Sequence, residues 1–302
     1  MKKLWLDLEL RADIDDYITL IMALEMKEAD IKYISIHNPS VQELKLLKNT
    51  ILKYYDLKII EKQPIIAISG IITEYPEDKD INKSLYKLAD EYHKDSDKID
   101  VWNIEDIIDN TSNKNLKELT YFTGGSLYTL SMIMKREPEL VAYIQGGYAG
   151  CNIVENKDTL EKFYDKESVP SWNVNLDLDA TQAVLDNKKA QLNFISKNIC
   201  HASIISLEDI GNRHSLGVDV LINYYDGKPK KMTYKAMHDV LAFITIFNTD
   251  IVEFKKVELT GHKRKKRMYW RSYLNENSNV KISVSFNYDK FKEFFFTSLK
   301  IT

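Results

Sequence analysis

Cysteine, proline and glycine are all scarce in this chain of 302 residues, which has two cysteines, six prolines and ten glycines. Cys151 and Cys200 are too few for a disulfide framework or a zinc-ligand spacing, so we interpret both as structural residues. No stretch is rich enough in proline, glycine or serine to mark a linker between domains. We therefore expect a single domain over residues 1–302.

Long apolar runs are missing as well. After Lys2 and Lys3, only residues 4–6 are apolar before a group of acids begins, which is neither a signal-peptide pattern nor a membrane span. We expect a cytoplasmic protein with no membrane partner. The net charge of −3 provides no overall attraction to a nucleic acid polymer.

One basic run departs from this mild acidity, between His262 and Arg267. It lies between two apolar stretches, so a solvated turn between strands is the preferred interpretation. A site for phosphate or another anionic group is the alternative.

The first half of the chain alternates short apolar runs with amphipathic stretches, which is typical of βαβ units. This rhythm predicts strands at 4–6, 31–36, 65–67, 119–122 and 142–144, with helices at 17–27, 41–55 and 126–136. Later segments predict helices at 177–187, 234–247 and 290–298 and strands at 257–259, 268–271 and 281–286. The expected fold class is α/β, with an open and mostly parallel sheet.

Glycine pairs follow two of the predicted strands, at Gly124-Gly125 and Gly146-Gly147. In open α/β sheets, ligands bind outside the carboxyl ends of the strands. These turns therefore indicate where a site would lie.

Five carboxylates crowd the segment between the first predicted strand and helix: Asp7, Glu9, Asp13, Asp15 and Asp16. Such crowding is costly unless a cation or hydrogen-bond donors neutralise it, and a hard metal ion is the natural partner. Taken alone, the segment is also compatible with a solvated acidic loop that caps the helix.

The acidic segment resembles the signature of the inosine-uridine nucleoside hydrolase family in its longer form, D-x-D-x-G-x-D-x-D-D. Further segments resemble blocks of that family in the same order along the chain. They are Ile36-His37-Asn38, Thr123-Gly124-Gly125-Ser126-Leu127, Gln145-Gly146-Gly147, Asn152, Trp172-Asn173 and His238-Asp239.

The resemblance implies a Rossmann-like nucleoside hydrolase fold and a Ca²⁺ ion. It assigns the metal ligands to Glu9, Asp16, the Thr123 backbone carbonyl and Asp239. It also implies that Asp15, Asn173 and Asp239 hold the ribose hydroxyls. Asn38 and Asn152 would line the sugar pocket, and Trp172 is a further candidate substrate-binding residue.

The implied reaction is hydrolysis of the N-glycosidic bond of a ribonucleoside, through an oxocarbenium-like transition state. Glu9 is the expected base, Asp16 the less favoured one, and His238 the acid that protonates the departing base. The implied partners are a small nucleoside and further copies of the chain, in a homodimer or homotetramer.

The sequence departs from the family pattern at Glu9, which replaces an aspartate, and at Arg11, which replaces a glycine. Ser171 stands where a glutamate is common, and the segment after Ile71 lacks the expected H-G-x-D-G motif. Two alternatives therefore stay open. One is a catalytically impaired nucleoside- or ribosyl-binding protein with an altered metal site, and the other is a hydrolase of a different N- or O-glycoside.

Overall fold

A computed structural model describes residues 1–10, 13–72, 99–226 and 233–299. Its centre is a ten-stranded sheet with the strand order β11-β10-β12-β7-β6-β5-β1-β2-β3-β4. The strands are β1 (Lys2–Leu8), β2 (Ala29–His37), β3 (Ile65–Ser69), β4 (Val101–Asn103), β5 (Thr120–Thr123), β6 (Val141–Gln145), β7 (Gln191–Ile195), β10 (Val252–Arg264), β11 (Arg267–Leu274) and β12 (Val280–Phe286). A separate pair is formed by β8 (Ile204–Ser206) and β9 (Tyr234–Ala236).

Helices connect these strands in the described part of the chain. They are α1 (Ile14–Glu25), α2 (Val41–Asp56), α3 (Ile104–Asn110), α4 (Asn113–Lys117), α5 (Tyr128–Arg136), α6 (Trp172–Leu176), α7 (Leu178–Asp186), α8 (Lys197–Cys200), α9 (Leu207–Ile210), α10 (Leu216–Asp226), α11 (His238–Thr245) and α12 (Tyr288–Ser298). Within the described ranges, no helix has both the length and the apolar character that a membrane span needs.

The eight strands from β12 to β4 pair in parallel, and β10 and β11 add an antiparallel ribbon at one edge. The predicted α/β class with a mostly parallel sheet is confirmed. Because parallel strands share one direction, the loops that follow β1, β2, β5 and β6 all emerge at the same edge.

The central strand and its helix are buried because both faces of the sheet are covered. Residues 4–8 of β1 are all buried, and so is every residue of α1. The side chain of Asp13 accepts a hydrogen bond from the Ile14 backbone N–H and caps α1. α1 packs against α11, so the starts of two helices distant in sequence come together.

The helix predicted over 234–247 is wrong at its beginning. Tyr234–Ala236 forms β9, which pairs antiparallel with β8, and the helix starts only at His238. The start is fixed by a tertiary contact, since the carboxylate of Asp15 accepts hydrogen bonds from the backbone N–H groups of His238 and Asp239. Spacing within the segment carries no information about that distant cap.

Candidate functional site

Three carboxylates meet where the starts of α1 and α11 adjoin the end of β5. Each of Asp15, Asp16 and Asp239 offers an oxygen that lies within 4.8 Å of the others. Their side chains are buried, with relative exposures of 1%, 4% and 5%. Three buried carboxylates close together are electrostatically unfavourable unless positive charge compensates them.

Asp15 is compensated by the protein itself. Its Oδ2 accepts hydrogen bonds from the backbone N–H of His238 at 2.9 Å and of Asp239 at 3.3 Å, and lies 3.1 Å from His238 Nδ1. The Nζ of Lys235 lies 3.8 Å from its Oδ1. Burial opposes ionisation, but Lys235, His238 and the Asp239 N–H outweigh it and hold the pKa of Asp15 well below its ordinary value.

Asp16 and Asp239 lack comparable compensation. Burial, together with the negative charge of the neighbouring carboxylates, raises the pKa of both groups well above the ordinary value. Asp16 Oδ1 accepts a hydrogen bond from the Glu9 backbone N–H at 3.0 Å. Asp239 Oδ1 is buried and has no hydrogen-bond partner in the described part of the chain.

Gly124 supplies the space that faces these two carboxylates. A Cβ atom added at Gly124 would lie 2.7 Å from both Asp16 Oδ1 and Asp239 Oδ1, closer than real Cβ atoms come. A gap bounded by carboxylate oxygens, one of them unpartnered, has the hard oxygen donors that Ca²⁺ or Mg²⁺ requires. The residues present therefore fit a hard divalent cation.

Glu9 and Thr123 border this gap without joining the cluster of three. The Glu9 carboxylate is close enough to Asp16 to raise its pKa, and Thr123 ends β5 directly before Gly124. A cavity of about 130 Å³ opens next to them, lined by Asp7, Leu8, Glu9, His37, Asn38, Gly125, Ser126 and Leu176. Cavities of ≈ 600 Å³ and larger lie elsewhere, and their linings include none of the residues that directly follow β1, β2 or β5. The three clustered carboxylates are not part of the small cavity's lining, but Glu9 is, and Glu9 lies close to Asp16.

Asp7, which belongs to the acidic segment, is not a member of the cluster of three, and its carboxylate accepts hydrogen bonds from hydroxyl groups. Ser35 Oγ donates a hydrogen bond to its Oδ1 at 2.5 Å, and Thr123 Oγ1 donates to its Oδ2 at 3.3 Å. Burial raises the pKa of Asp7 to about 7, although these hydrogen bonds act in the opposite direction. Asp7 thus ties β1 to β2 and β5 beneath the site.

His238 stands beside the cluster with one ring nitrogen anchored and the other unpartnered. Its Nδ1 lies 3.1 Å from Asp15 Oδ2, and its buried Nε2 has no hydrogen-bond partner among the described residues. The ring of His201 lies 4.4 Å from the His238 ring. His201 is also contacted by Lys162, whose Nζ lies 2.9 Å from its Nδ1, and by the ring of Phe163 at 5.4 Å.

Two neighbours of the site were missed by the sequence analysis, Lys235 and His201. Lys235 lies in β9, within a segment predicted as helix, and its Nζ donates to Asp13 Oδ2 at 2.9 Å. Burial, together with the positive charges of His238 and Lys162, lowers the pKa of His201 to about 2. Neither residue stands next to a family motif, so no local signal marks it.

Asn38 and Asn173 both lie at the carboxyl edge of the sheet. Asn38 has a left-handed backbone with φ of 47°, and its Oδ1 accepts a hydrogen bond from the Ile71 N–H at 3.0 Å. Asn173 Nδ2 lies 2.7 Å from the Gly124 carbonyl oxygen and 2.6 Å from Gln145 Oε1. Both side chains therefore brace the loops around the gap.

Asn152 and Trp172 are placed differently from the other predicted site residues. Asn152 Nδ2 donates to the Ser272 carbonyl of β11 at 2.8 Å, and Asn152 does not line the small cavity. Trp172 begins α6 with 69% of its surface exposed. Arg11 departs from the family pattern, and so does the segment after Ile71; Arg11 and residues 73–98 of that segment lie outside the described residues.

Comparison with known proteins bears on this arrangement. The family described as inosine-uridine preferring nucleoside hydrolase matches the chain over residues 4–293. Among solved structures, the inosine-uridine preferring nucleoside hydrolase of Bacillus anthracis has a TM-score of 0.68 and 17% identity, with 99% of each chain covered. The purine-preferring ribonucleoside hydrolase of Gardnerella vaginalis has a TM-score of 0.66 and 17% identity, covering 99% of this chain and 98% of its own. At these identities the structural matches establish the fold.

Among curated proteins, an uncharacterized protein of Aquifex aeolicus (strain VF5) is 30% identical over 189 residues. The matched region covers 59% of this chain and 62% of that relative, so the chain spans less than two thirds of the relative's length.

Proposed function

Because the chain belongs to the inosine-uridine preferring nucleoside hydrolase family, we propose that it is a Ca²⁺-dependent N-ribosyl hydrolase. Its substrate would be a ribonucleoside or modified ribonucleoside, cleaved to the free base and ribose. One observation carries the proposal: Asp16 and the unpartnered Asp239 Oδ1 face the space that Gly124 leaves open.

Asp16, Asp239, Glu9 and the Thr123 carbonyl are the proposed ligands of the cation. When bound, Ca²⁺ would polarise a water molecule for attack and leave coordination positions for ribose hydroxyls. Asp16 and Asp239 would be ionised in the Ca²⁺-bound protein, because the cation would supply the positive charge that their surroundings lack.

Each remaining step belongs to a residue of the chain. Glu9 accepts a proton from the attacking water, whose oxygen forms a bond to the anomeric carbon. The bond from that carbon to the base breaks, and its electron pair remains on the base nitrogen. His238, held at Nδ1 by Asp15, donates a proton from Nε2 to the departing base.

The small cavity sets the expected position of the substrate. At about 130 Å³ it is well below the several hundred cubic ångströms of typical pockets for larger ligands. We propose that the ribose lies between this cavity, which Glu9 and Asn38 line, and the carboxylate cluster. Asp15, Asp239 and Asn173, which are not part of the cavity lining, would hold its hydroxyls from the cluster side. The base would then lie at the rim beside the exposed Trp172.

The remaining proposals concern the molecule around the site. We propose a single domain, a homodimer or homotetramer, and a cytoplasmic location. Asn38 and Asn152 are proposed to shape the sugar pocket through the loops they brace. A ribosyl-binding protein with a disabled metal site is not favoured, because Glu9 lines the cavity beside an intact carboxylate cluster.

The test is an assay for release of free base from a panel of purine, pyrimidine and modified ribonucleosides. The reactions contain Ca²⁺, and their products are separated and quantified by chromatography. Wild-type protein should release base and ribose in equal amounts, and Asp239→Asn should lose this activity because a charged ligand is gone. Asp219→Asn is the control, since Asp219 lies on α10 with half of its side chain exposed. No base release by wild type, or full activity in Asp239→Asn, would refute the proposal.

A further inference from the structure

At the end of the ribbon of β10 and β11, five consecutive cations occupy the strand ends and the turn between them, and are here called the basic tip: Lys263, Arg264, Lys265, Lys266 and Arg267. All five are exposed, and none forms an ion pair with another residue that the structure describes. Lys265 adopts a left-handed backbone with φ of 56°, a position that usually carries glycine, asparagine or aspartate. Like charges concentrated on a strained turn are unfavourable for folding. Such an arrangement indicates a functional role for the basic tip.

Hydrogen bonds connect β11 to the loop after β6 and to α6, the helix that contributes Leu176 to the cavity wall. Ser272 Oγ donates to the Tyr148 carbonyl at 2.8 Å, just beyond the end of β6. Trp270 then pairs with Val169, and its Nε1 donates to Asn175 Oδ1 at 2.7 Å. The backbone carbonyl of Met268, the first residue after the tip, accepts a hydrogen bond from Asn175 Nδ2 at 3.0 Å.

Asn175 places the basic tip beside the proposed site. It lies in α6, directly before Leu176, which lines the 130 Å³ cavity. Trp172 stands three residues before Asn175, so both occupy the same side of the helix. The tip therefore ends one residue before a strand position that is hydrogen-bonded to the helix at the rim.

The pairing of the two strands decides which cation faces that rim. Lys263 is opposite Met268, and the two share a face with Trp270, whose indole is bonded to α6. Arg264 lies on the other face, with its guanidinium 5.7 Å from the Tyr269 ring. Lys263 is thus on the face turned toward α6, and Arg264 is not.

We propose that Lys263 forms an anion subsite at the rim of the cavity, and that the substrate is a ribonucleoside carrying a phosphate, such as a 5′-monophosphate. This inference rests on the proposed function and specifies its substrate class. The carboxylates that line the cavity, Asp7 and Glu9, would repel a phosphate, and the exposed, flexible ammonium group of Lys263 would offset that repulsion. The exposed Trp172 supplies an aromatic surface for the base on the same rim.

Kinetics with matched substrates test the subsite. The ratio of kcat/KM for a ribonucleoside 5′-monophosphate to that for the same ribonucleoside should exceed one in wild type. In Lys263→Gln this ratio should fall about tenfold, the effect of losing one charge-assisted hydrogen bond. Arg264→Gln is the matched control from the same turn and should keep the wild-type ratio. A wild-type ratio below one, or equal losses in both variants, would overturn the subsite.

Binding measurements separate this inference from the proposed function. Calorimetry with Ca²⁺ present should show that ribose 5-phosphate binds more tightly than ribose, with the difference reduced in Lys263→Gln only. That result without hydrolysis of any nucleoside would keep the subsite and refute the hydrolase. Nucleoside hydrolysis together with equal binding of ribose and ribose 5-phosphate would keep the hydrolase and refute the subsite. Tighter binding of a ten-nucleotide single-stranded RNA than of the monophosphate would also overturn the inference, because it assigns the tip to a polymer.

Discussion

Asp15 shows how one buried carboxylate organises its neighbours. Its Oδ2 receives the first two N–H groups of α11 and the imidazole Nδ1 of His238. An ionised carboxylate is favoured at a helix N-terminus, and a fixed Nδ1 leaves Nε2 as the nitrogen that exchanges protons. A residue expected to hold ribose thus also positions the proposed acid.

His238 has a role that depends on the leaving group. His238→Ala should slow hydrolysis of a ribonucleoside with a poor leaving base by roughly 10²–10⁴-fold, the range supplied by general acid catalysis. p-Nitrophenyl riboside should be affected much less, because its leaving group departs without a proton. Steady-state turnover of both substrates checks this. Equal losses would assign His238 a structural role, since a displaced Asp239 would impair both reactions alike.

His201 makes stability depend on pH. Its folded pKa of about 2 lies below the unfolded value near 6.5, so the unfolded chain binds the extra proton between these values. This histidine therefore destabilises the fold progressively as pH falls below about 6.5. His201→Gln should remove this pH-dependent loss of stability. The loss in the free energy of unfolding is at most about 1.4 kcal/mol per pH unit.

Urea unfolding of wild type and His201→Gln at pH 7 and pH 5 measures the effect. The free energy of unfolding of wild type should fall relative to the variant at the lower pH. Parallel behaviour of the two proteins across this range would contradict a half-buried His201 that stays neutral in the folded protein.

At the scale of elements, the site depends on where β5 ends and α1 and α11 begin. The turn after β5 carries Gly124, and the two helices deliver Asp16 and Asp239 to it. Parallel pairing brings these segments to one edge although more than 200 residues separate Asp16 from Asp239. A side chain on the turn would occupy the space between the carboxylates.

Gly124→Ala tests that space without removing a ligand. Its Cβ would approach two buried carboxylate oxygens at 2.7 Å, so we expect Ca²⁺ affinity and turnover to fall at least about tenfold, the scale of a lost charged contact. Gly125→Ala is the matched control for Ca²⁺ affinity, because its nearest neighbour would be Glu9 Cβ at 3.5 Å. Calorimetric Ca²⁺ titration of both variants measures the difference. Equal affinities would remove Gly124 from the site.

The sequence predicted elements well where periodicity is strong and local. The helix predicted at 41–55 is α2 (Val41–Asp56). The predicted turn between two strands lies within the basic run, but it is limited to Lys265 and Lys266 because β10 extends to Arg264 and β11 begins at Arg267. The start of α11 was misplaced, because its cap comes from Asp15 on another helix. Contacts with a distant partner leave no period in the local sequence.

In the candidate site, too, residues within sequence motifs could be predicted, and residues that reach the site only through tertiary contacts could not. Asp15, Asp16 and Asp239 were predicted together through motifs, and the fold brings them within 4.8 Å. Lys235 and His201 approach them only through tertiary packing, so spacing gave no sign of either. The engagement of Asn152 with Ser272 was likewise invisible, since it depends on the path of the outer ribbon.

For the whole molecule, the proposed cation joins the first helix of the chain to one that begins at residue 238. A ligand that binds only the folded state stabilises it, by about 2.7 kcal/mol at a hundred times its Kd. The raised pKa values of Asp16 and Asp239 indicate that this edge is under electrostatic strain without positive charge. Calcium would therefore act on stability and activity through the same residues.

Calcium dependence of base release tests the central claim most directly. Protein treated with EGTA is supplied with increasing Ca²⁺, and free base and bound calcium are measured in the same samples. We predict that hydrolysis is lost on chelation and returns in proportion to occupancy, reaching its maximum at one Ca²⁺ per chain. Undiminished hydrolysis by the chelated protein, or no base release from any ribonucleoside or its 5′-monophosphate at full occupancy, would contradict the account.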